Sequence, residues 1–186
     1  PTLTQKIVKE CIKNYNSTEY SKDWELFNVI GPKCRERGYI NKSEFIRICK
    51  WKSPRTLGHY LKNNEELIVN TTKRAFLTEN EKARLEILTN LQGVSIPMAS
   101  AILTVIFPDK YGIIDIRCWE TLYHLEIIDK YKKSGFSLND WLKYLKVIRT
   151  LASEYKMSPR EIDIALFGYH RKFLQGNKPL YDRHRK

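Results

Sequence analysis

One carboxylate stands out by its setting. Asp115 interrupts the apolar run Ile113-Ile114-Asp115-Ile116, just past the Tyr111-Gly112 turn and at the expected start of a helix. Upstream, the chain turns tightly at Leu91-Gln92-Gly93-Val94-Ser95 between two helical patterns, and Ile96 opens the second. Such a turn leaves backbone N–H groups without intrahelical partners, and those groups attract a phosphate. Gln92, Gly93, Val94, Ser95 and Ile96 are therefore candidate phosphate contacts. An acid at the next helix start would then act beside the bound phosphate. Each feature also has a plainer use. Asp115 can cap the N–H groups of Arg117 or Cys118, and Gly93 can simply end a helix.

Further groups could complete such a site. Lys50-Trp51-Lys52-Ser53-Pro54-Arg55 packs cations around an indole where two predicted helices meet. An indole face stacks on a base and the cations meet phosphates; an ordinary core tryptophan between solvated lysines fits equally well. Trp51, Lys52 and Arg55 are thus candidate pocket residues, with Lys50 beside them. Tyr111 and Trp119 flank Asp115 and are candidates too, although Trp119 falls one turn into its helix, where core residues sit. Arg117 follows Asp115 closely. Tyr169-His170-Arg171-Lys172 ends the last regular helix, where His170 is a candidate general base, although such a residue is more often a surface or phosphate-side histidine, and Arg171 is a further candidate. Asp163, on that helix, reads as structural. His59 and His124 are isolated, and no His, Cys or carboxylate grouping has metal-ligand spacing. Cys11, Cys34, Cys49 and Cys118 lie too far apart for an iron–sulfur cluster. No P-loop, dinucleotide fingerprint or serine elbow is present.

The stretch from Leu91 to Trp119 resembles the helix-hairpin-helix DNA glycosylase superfamily. Leu91-Gln92-Gly93-Val94-Ser95 is similar to that family's L-P-G-V-G hairpin, with Gln92 and Ser95 as departures. Ala99, Ala101 and Leu103 match the small and apolar positions of its second helix. Ile114-Asp115-Ile116-Arg117 is similar to its V-D-x-H segment, at the matching interval from the hairpin. The resemblance implies an all-α fold of two helical lobes, with a base pocket between them. One lobe would hold residues 1–60 and 130–174, the other residues 61–129 with the hairpin.

It also implies that Asp115 is catalytic: its charge would stabilise the oxocarbenium-like sugar as the base leaves, and it could orient the attacking water. The partner would be double-stranded DNA, bent so that one nucleotide is extruded. No organic cofactor is needed, and a monovalent cation at the hairpin carbonyls is left open. Pro97 stands where lyase members carry a lysine, so a monofunctional enzyme is expected; Lys50 or Lys52 could bring an amine from another direction. The rival readings are a non-catalytic hairpin module that recognises DNA structure or modification, which needs no acid at 115, and an RNA-directed protein. The target base stays open among damaged, mismatched and modified bases.

Composition agrees with a polyanionic partner. The formal net charge is +12, and it is uneven. Residues 1–60 carry 12 Lys/Arg against 6 Asp/Glu, residues 61–129 carry 7 against 10, and residues 130–186 carry 14 against 5. Two basic ends around an acidic middle favour nucleic acid, although lysine-rich surfaces also serve solubility. No apolar run is long enough to span a membrane and no signal-peptide pattern is present. Four scattered cysteines suit a reducing compartment. The expectation is a cytoplasmic, DNA-associated monomer.

The elements that must position these residues are helices. Apolar periodicity predicts them near 3–14, 22–36, 43–51, 54–63, 64–76, 79–91, 97–106, 116–125, 138–155 and 159–174. Pro32 should end or kink the second. Ser53-Pro54 and Ser158-Pro159 are N-cap and first-turn pairs. Thr78 with Glu81, and Ser158 with Glu161, read as capping boxes. The polar, basic tail from Gln175 should be loosely held.

Overall fold

The computed structural model describes residues 2–176, and of residues 18–22 the backbone alone. Helix accounts for 71% of the chain and no strand occurs among the described residues, so the fold is all-α. Most of the basic tail, from 177 onward, lies outside the described residues. No described helix is long and apolar enough to cross a membrane.

The first two predicted helices are one continuous helical run. Helix α1 (Gln5–Glu25) passes through a π-turn (Leu26–Ile30) into α2 (Gly31–Arg37). Pro32 does not end the run: it directly follows the π-turn, whose widened hydrogen bonding accommodates a residue without an N–H. The wide turn before it places Gly31 against the next layer. A Cβ on Gly31 would sit 2.3 Å from the carbonyl oxygen of Val105, so only glycine permits that approach.

Helix α3 (Lys42–Lys52) starts on an Asn41–Glu44 capping box. The Ser53-Pro54 start yields less than expected. Ser53 makes no side-chain cap, and a 3₁₀ turn (Pro54–Thr56) leads into a short α4 (Leu57–Tyr60). Helices α5 (Glu65–Leu77) and α6 (Glu81–Leu88) follow. The cap of α6 is Asn80, which accepts from Ala83 N, while the Thr78 hydroxyl donates back to Arg74 O. The Thr78–Glu81 capping box is therefore not formed. Next come α7 (Ile96–Ile106), α8 (Ile116–His124), α9 (Leu138–Tyr155) and α10 (Pro159–Tyr169), with a terminal π-turn (His170–Leu174). The Ser158–Glu161 box forms with both of its hydrogen bonds.

Helix α7 is the centre of the body. Every residue from Met98 to Ile106 is buried, as its all-round apolar pattern requires. It packs on α2, α3 and α6. The main core runs from Leu26 through α7 to Leu166 and so crosses the division expected between lobes. A smaller cluster of Val8, Cys11, Ala165 and Tyr169 joins α1 to α10. There Gly168 lets the helices close: a Cβ would stand 3.0 Å from Cys11 O. The chain's first and last helices thus lie together, with α8 and α9 also against α10. All four cysteines are free and buried.

Candidate active site

Between α7 and α8 the backbone runs extended from Tyr111 to Asp115. With no sheet to join, its buried polar groups need side-chain partners. Ser100 Oγ on α7 accepts from Ile114 N at 3.1 Å. Asp163 Oδ2 on α10 accepts from Ile113 N at 2.8 Å. Tyr144 on α9 donates its hydroxyl to Ile113 O at 2.9 Å. Gly112 admits α10, since a Cβ there would lie 3.0 Å from Pro159 O. Three helices therefore fix the segment that ends on Asp115.

Asp115 caps α8, its Oδ1 accepting from Cys118 N at 2.8 Å. The plain capping role foreseen for it is real. It occupies one oxygen only. Oδ2 lies 4.0 Å from Lys52 Nζ, and both side chains are about a fifth exposed (19% and 22%). Asp115, Lys52 and Arg117 form the wall shared by two cavities. The larger, ≈ 520 Å³, opens past Ser95, Ile96 and Pro97 at the start of α7 and is closed by Ser134, Gly135 and Phe136. The smaller, ≈ 220 Å³, runs between Tyr15, Trp51 and Phe167 to Arg160 and Asp163.

The floor of the smaller cavity is a paired set of charges. Arg160 donates to Asp163 at 2.7 Å and to Asp23 at 3.1 Å. Trp51 Nε1 and the Tyr15 hydroxyl also donate to Asp23. The Arg160 guanidinium lies over the ring of Phe27, 4.6 Å from its centre. Burial pushes the Asp163 carboxyl up, to about 6, against the opposing pull of Arg160. Burial likewise pushes the Tyr15 phenol up, which keeps it a donor. Arg117 differs from Arg160. It stacks on Phe167 at 4.8 Å, and its Nε is buried with no hydrogen-bond acceptor.

The hairpin turn is partly spent on its own fold. Gln92 N donates to Asn63 Oδ1 at 2.8 Å, and Val94 N donates to Leu91 O at 3.1 Å. Among the described residues the N–H groups of Gly93, Ser95 and Ile96 take no acceptor, so the set of open N–H groups is smaller than expected. Ser95 instead caps α7 through Met98 N. Gly93 has a φ of +82°, and its close approach is to Tyr60 and His59. Leu91 O and Gln92 O already accept from Val94 N and Asn63 Nδ2. Among the described residues no group of three or more His, Cys, Asp and Glu is placed to hold a metal.

Of the residues singled out in the sequence, the structure brings Trp51, Lys52, Ser95, Ile96, Asp115 and Arg117 together around the two cavities. Tyr111 is corrected. It is fully buried, stacked on Trp141, and hydrogen-bonded through its hydroxyl to Glu81 and Arg84. Trp119 is corrected as well: it is a core residue whose Nε1 donates to Lys130 O. Both rings are held in the core by packing, Tyr111 on Trp141 and Trp119 against Phe136. Lys50 and Arg55 are exposed and line neither cavity. His170 is not an accessible base. It is fully buried with Nε2 2.6 Å from Glu120 Oε2. Arg171 is exposed and sits 6.0 Å from the Phe167 ring centre, at the outer side of the pocket wall.

Sequence reasoning missed Tyr15, Arg160, Phe167 and Phe136. Only Arg160 left a signal: an Arg–Asp pair at i and i+3 on a nearly all-apolar helix is a mark of a buried ion pair. Comparison with known proteins gives no match, whether by family model, by sequence or by structure.

Proposed function

We propose that this chain is a monofunctional DNA glycosylase of the helix-hairpin-helix type, two-lobed in plan, that acts on double-stranded DNA. The observation that carries the reading is the position of Asp115. It stands where a groove starting at the hairpin helix meets an enclosed, aromatic-walled pocket. A nucleotide laid across that junction has its phosphate toward the N–H groups of Gly93, Ser95 and Ile96. Its base enters the pocket of Tyr15, Trp51 and Phe167, and its sugar lies beside the uncapped oxygen of Asp115. As the N-glycosidic bond breaks, positive charge develops on the sugar and Asp115 stabilises it. Water then adds at C1′ and its proton is lost, leaving a free base and an abasic site. Lys52 keeps a cation 4.0 Å from that carboxylate.

The test is a panel of duplexes, each with one damaged, mismatched or modified base, treated with alkali after incubation. Strand breaks that appear only after alkali support the reading. Borohydride should trap little covalent complex, because Pro97 offers no amine. Efficient trapping that disappears in Lys52→Gln would make the enzyme bifunctional through Lys52. Release of no base from any duplex, with duplex binding intact, would favour the second reading, a hairpin module that binds DNA without chemistry. One observation speaks for that second reading: Asp115 already has a structural task as the cap of α8.

A further inference from the structure

The charges facing the smaller cavity are not equivalent. Arg160 is spent, with both terminal nitrogens donating to Asp163, Asp23 and Tyr15. Asp163 is spent too, on Arg160 and Ile113 N. Lys52 stands beside Asp115 at 4.0 Å, beyond hydrogen-bond reach. Arg117 has a ring beneath it and no carboxylate partner, and its Nε is buried without an acceptor. That nitrogen has no accessible surface, so a ligand meets Arg117 at its terminal nitrogens, which have no acceptor among the described residues and would gain a charge-assisted hydrogen bond. The pocket therefore has unmet donor capacity and no unmet acceptor of equal standing beyond Asp115 itself.

We infer that the pocket selects bases that present a carbonyl or oxo oxygen to Arg117, as neutral or anionic rings, and discriminates against cationic N-alkylated bases. This rests on the glycosylase reading and names its substrate class. Hypoxanthine, xanthine, uracil and 8-oxoguanine belong to the favoured class; 3-methyladenine and 7-methylguanine to the disfavoured one. The favoured bases accept from the guanidinium while sandwiched by the aromatic walls. A cationic ring places like charge against Arg117 and Lys52; 3-methyladenine also offers no oxygen to the donor, while 7-methylguanine keeps its O6 and is disfavoured by its charge alone. The aromatic walls alone would accept either class, because stacking is tolerant of base identity. Arg117 is thus the discriminator. It also borders the larger groove, so the same donor could meet a phosphate oxygen, and the two acceptors need separate experimental arms.

Binding separates this inference from the question of chemistry. Asp115→Asn protein is titrated against duplexes carrying one base of each class and against undamaged duplex, with fluorescence anisotropy as the readout. The expected result is a preference for the oxo class of about tenfold or more, the scale of one well-formed arginine–base contact. Adding Arg117→Met should erase that preference, with the melting temperature nearly unchanged. Equal or tighter binding of the cationic class overturns the inference. So does a uniform loss of affinity in Arg117→Met with a shallower salt dependence, which assigns Arg117 to a phosphate. The wild-type protein is run on the same duplexes for base release. Release of the cationic class alone contradicts the pocket assignment and leaves the glycosylase reading standing. Selective binding of the oxo class without any release leaves the pocket assignment standing and removes the enzymatic one.

Discussion

Asp115→Asn is the substitution in which capping and catalysis come apart. Asparagine keeps an oxygen where Oδ1 accepts from Cys118 N, so the cap of α8 survives. Asparagine and aspartate are nearly equivalent as N-caps, so the stability change from that source is a few tenths of a kcal/mol. The charge beside Lys52 is lost, but both side chains are partly exposed, so solvent screening holds that contribution to about 1 kcal/mol or less. The effect on the reaction is larger. Removal of a charge aimed at a developing oxocarbenium ion costs about 100-fold or more, near 2.7 kcal/mol. The two magnitudes differ enough to be told apart. Single-turnover base release is measured beside urea unfolding and duplex affinity. The expected outcome is release down ~100-fold, stability down by no more than ~1 kcal/mol, and affinity retained. A variant that releases base at near-normal rate with its fold intact would show that Asp115 is a cap and nothing more. Loss of activity in proportion to loss of folded protein would lead to the same conclusion.

Predictions at three further positions follow from the geometry. Gly93→Ala should lower stability by about 1–3 kcal/mol, because φ is +82° and the new Cβ would meet the Tyr60 ring at 2.8 Å; unchanged stability would mean the turn relaxes freely. Trp51→Ala should cut recognition of the extruded base and also lower the melting temperature, since the indole both lines the pocket and donates to Asp23. Trp51→Phe keeps a stacking ring and forfeits a hydrogen bond of about 1 kcal/mol, so it should restore most of the recognition; equal damage in both variants would deny the stacking role. Asp163 titrates near 6 in the fold against an ordinary 3.8, so the native state holds its proton more tightly than the unfolded chain does. Its contribution to stability therefore falls as pH rises from about 4 to 6 and is level above that. Urea midpoints across that range should show the decline in wild type relative to Asp163→Asn; parallel profiles would remove Asp163 as its source.

Much of the fold was legible because α3, α5, α7, α9 and α10 announce themselves by period and cap. The Ser158–Glu161 box and the all-apolar α7 are local signals, and local signals survive into the structure. The failures are places where distant packing overrides them. Thr78 with Glu81 has the spacing of a capping box, but Asn80 lies nearer the helix start and takes the cap. The break expected before residue 22 does not occur, because continuing the helix lets α1 lie along α10. Pro32 reads as a breaker until the π-turn before it accommodates its missing N–H.

The site was legible along one segment and illegible across the others. Asp115 and the hairpin lie within one short motif, so spacing alone couples them. The pocket does not come from a motif. Tyr15, Trp51, Arg117 and Phe167 are brought together from α1, α3, α8 and α10, and no periodicity records that meeting. Tyr111 and Trp119 were attractive because they neighbour Asp115 in sequence. Each lies four residues from Asp115, a spacing that does not by itself separate faces, and tertiary packing takes both rings, Tyr111 onto Trp141 and Trp119 against Phe136. The rings beside the acid therefore go to the core, and the rings that face it come from elsewhere. The same geometry explains why the acid is well placed without a sheet. Ser100, Tyr144 and Asp163 hold the segment through one hydrogen bond each, from three different helices. Asp115 can keep its position only while α7, α9 and α10 stay packed, which ties its carboxylate to the tertiary core rather than to a flexible loop.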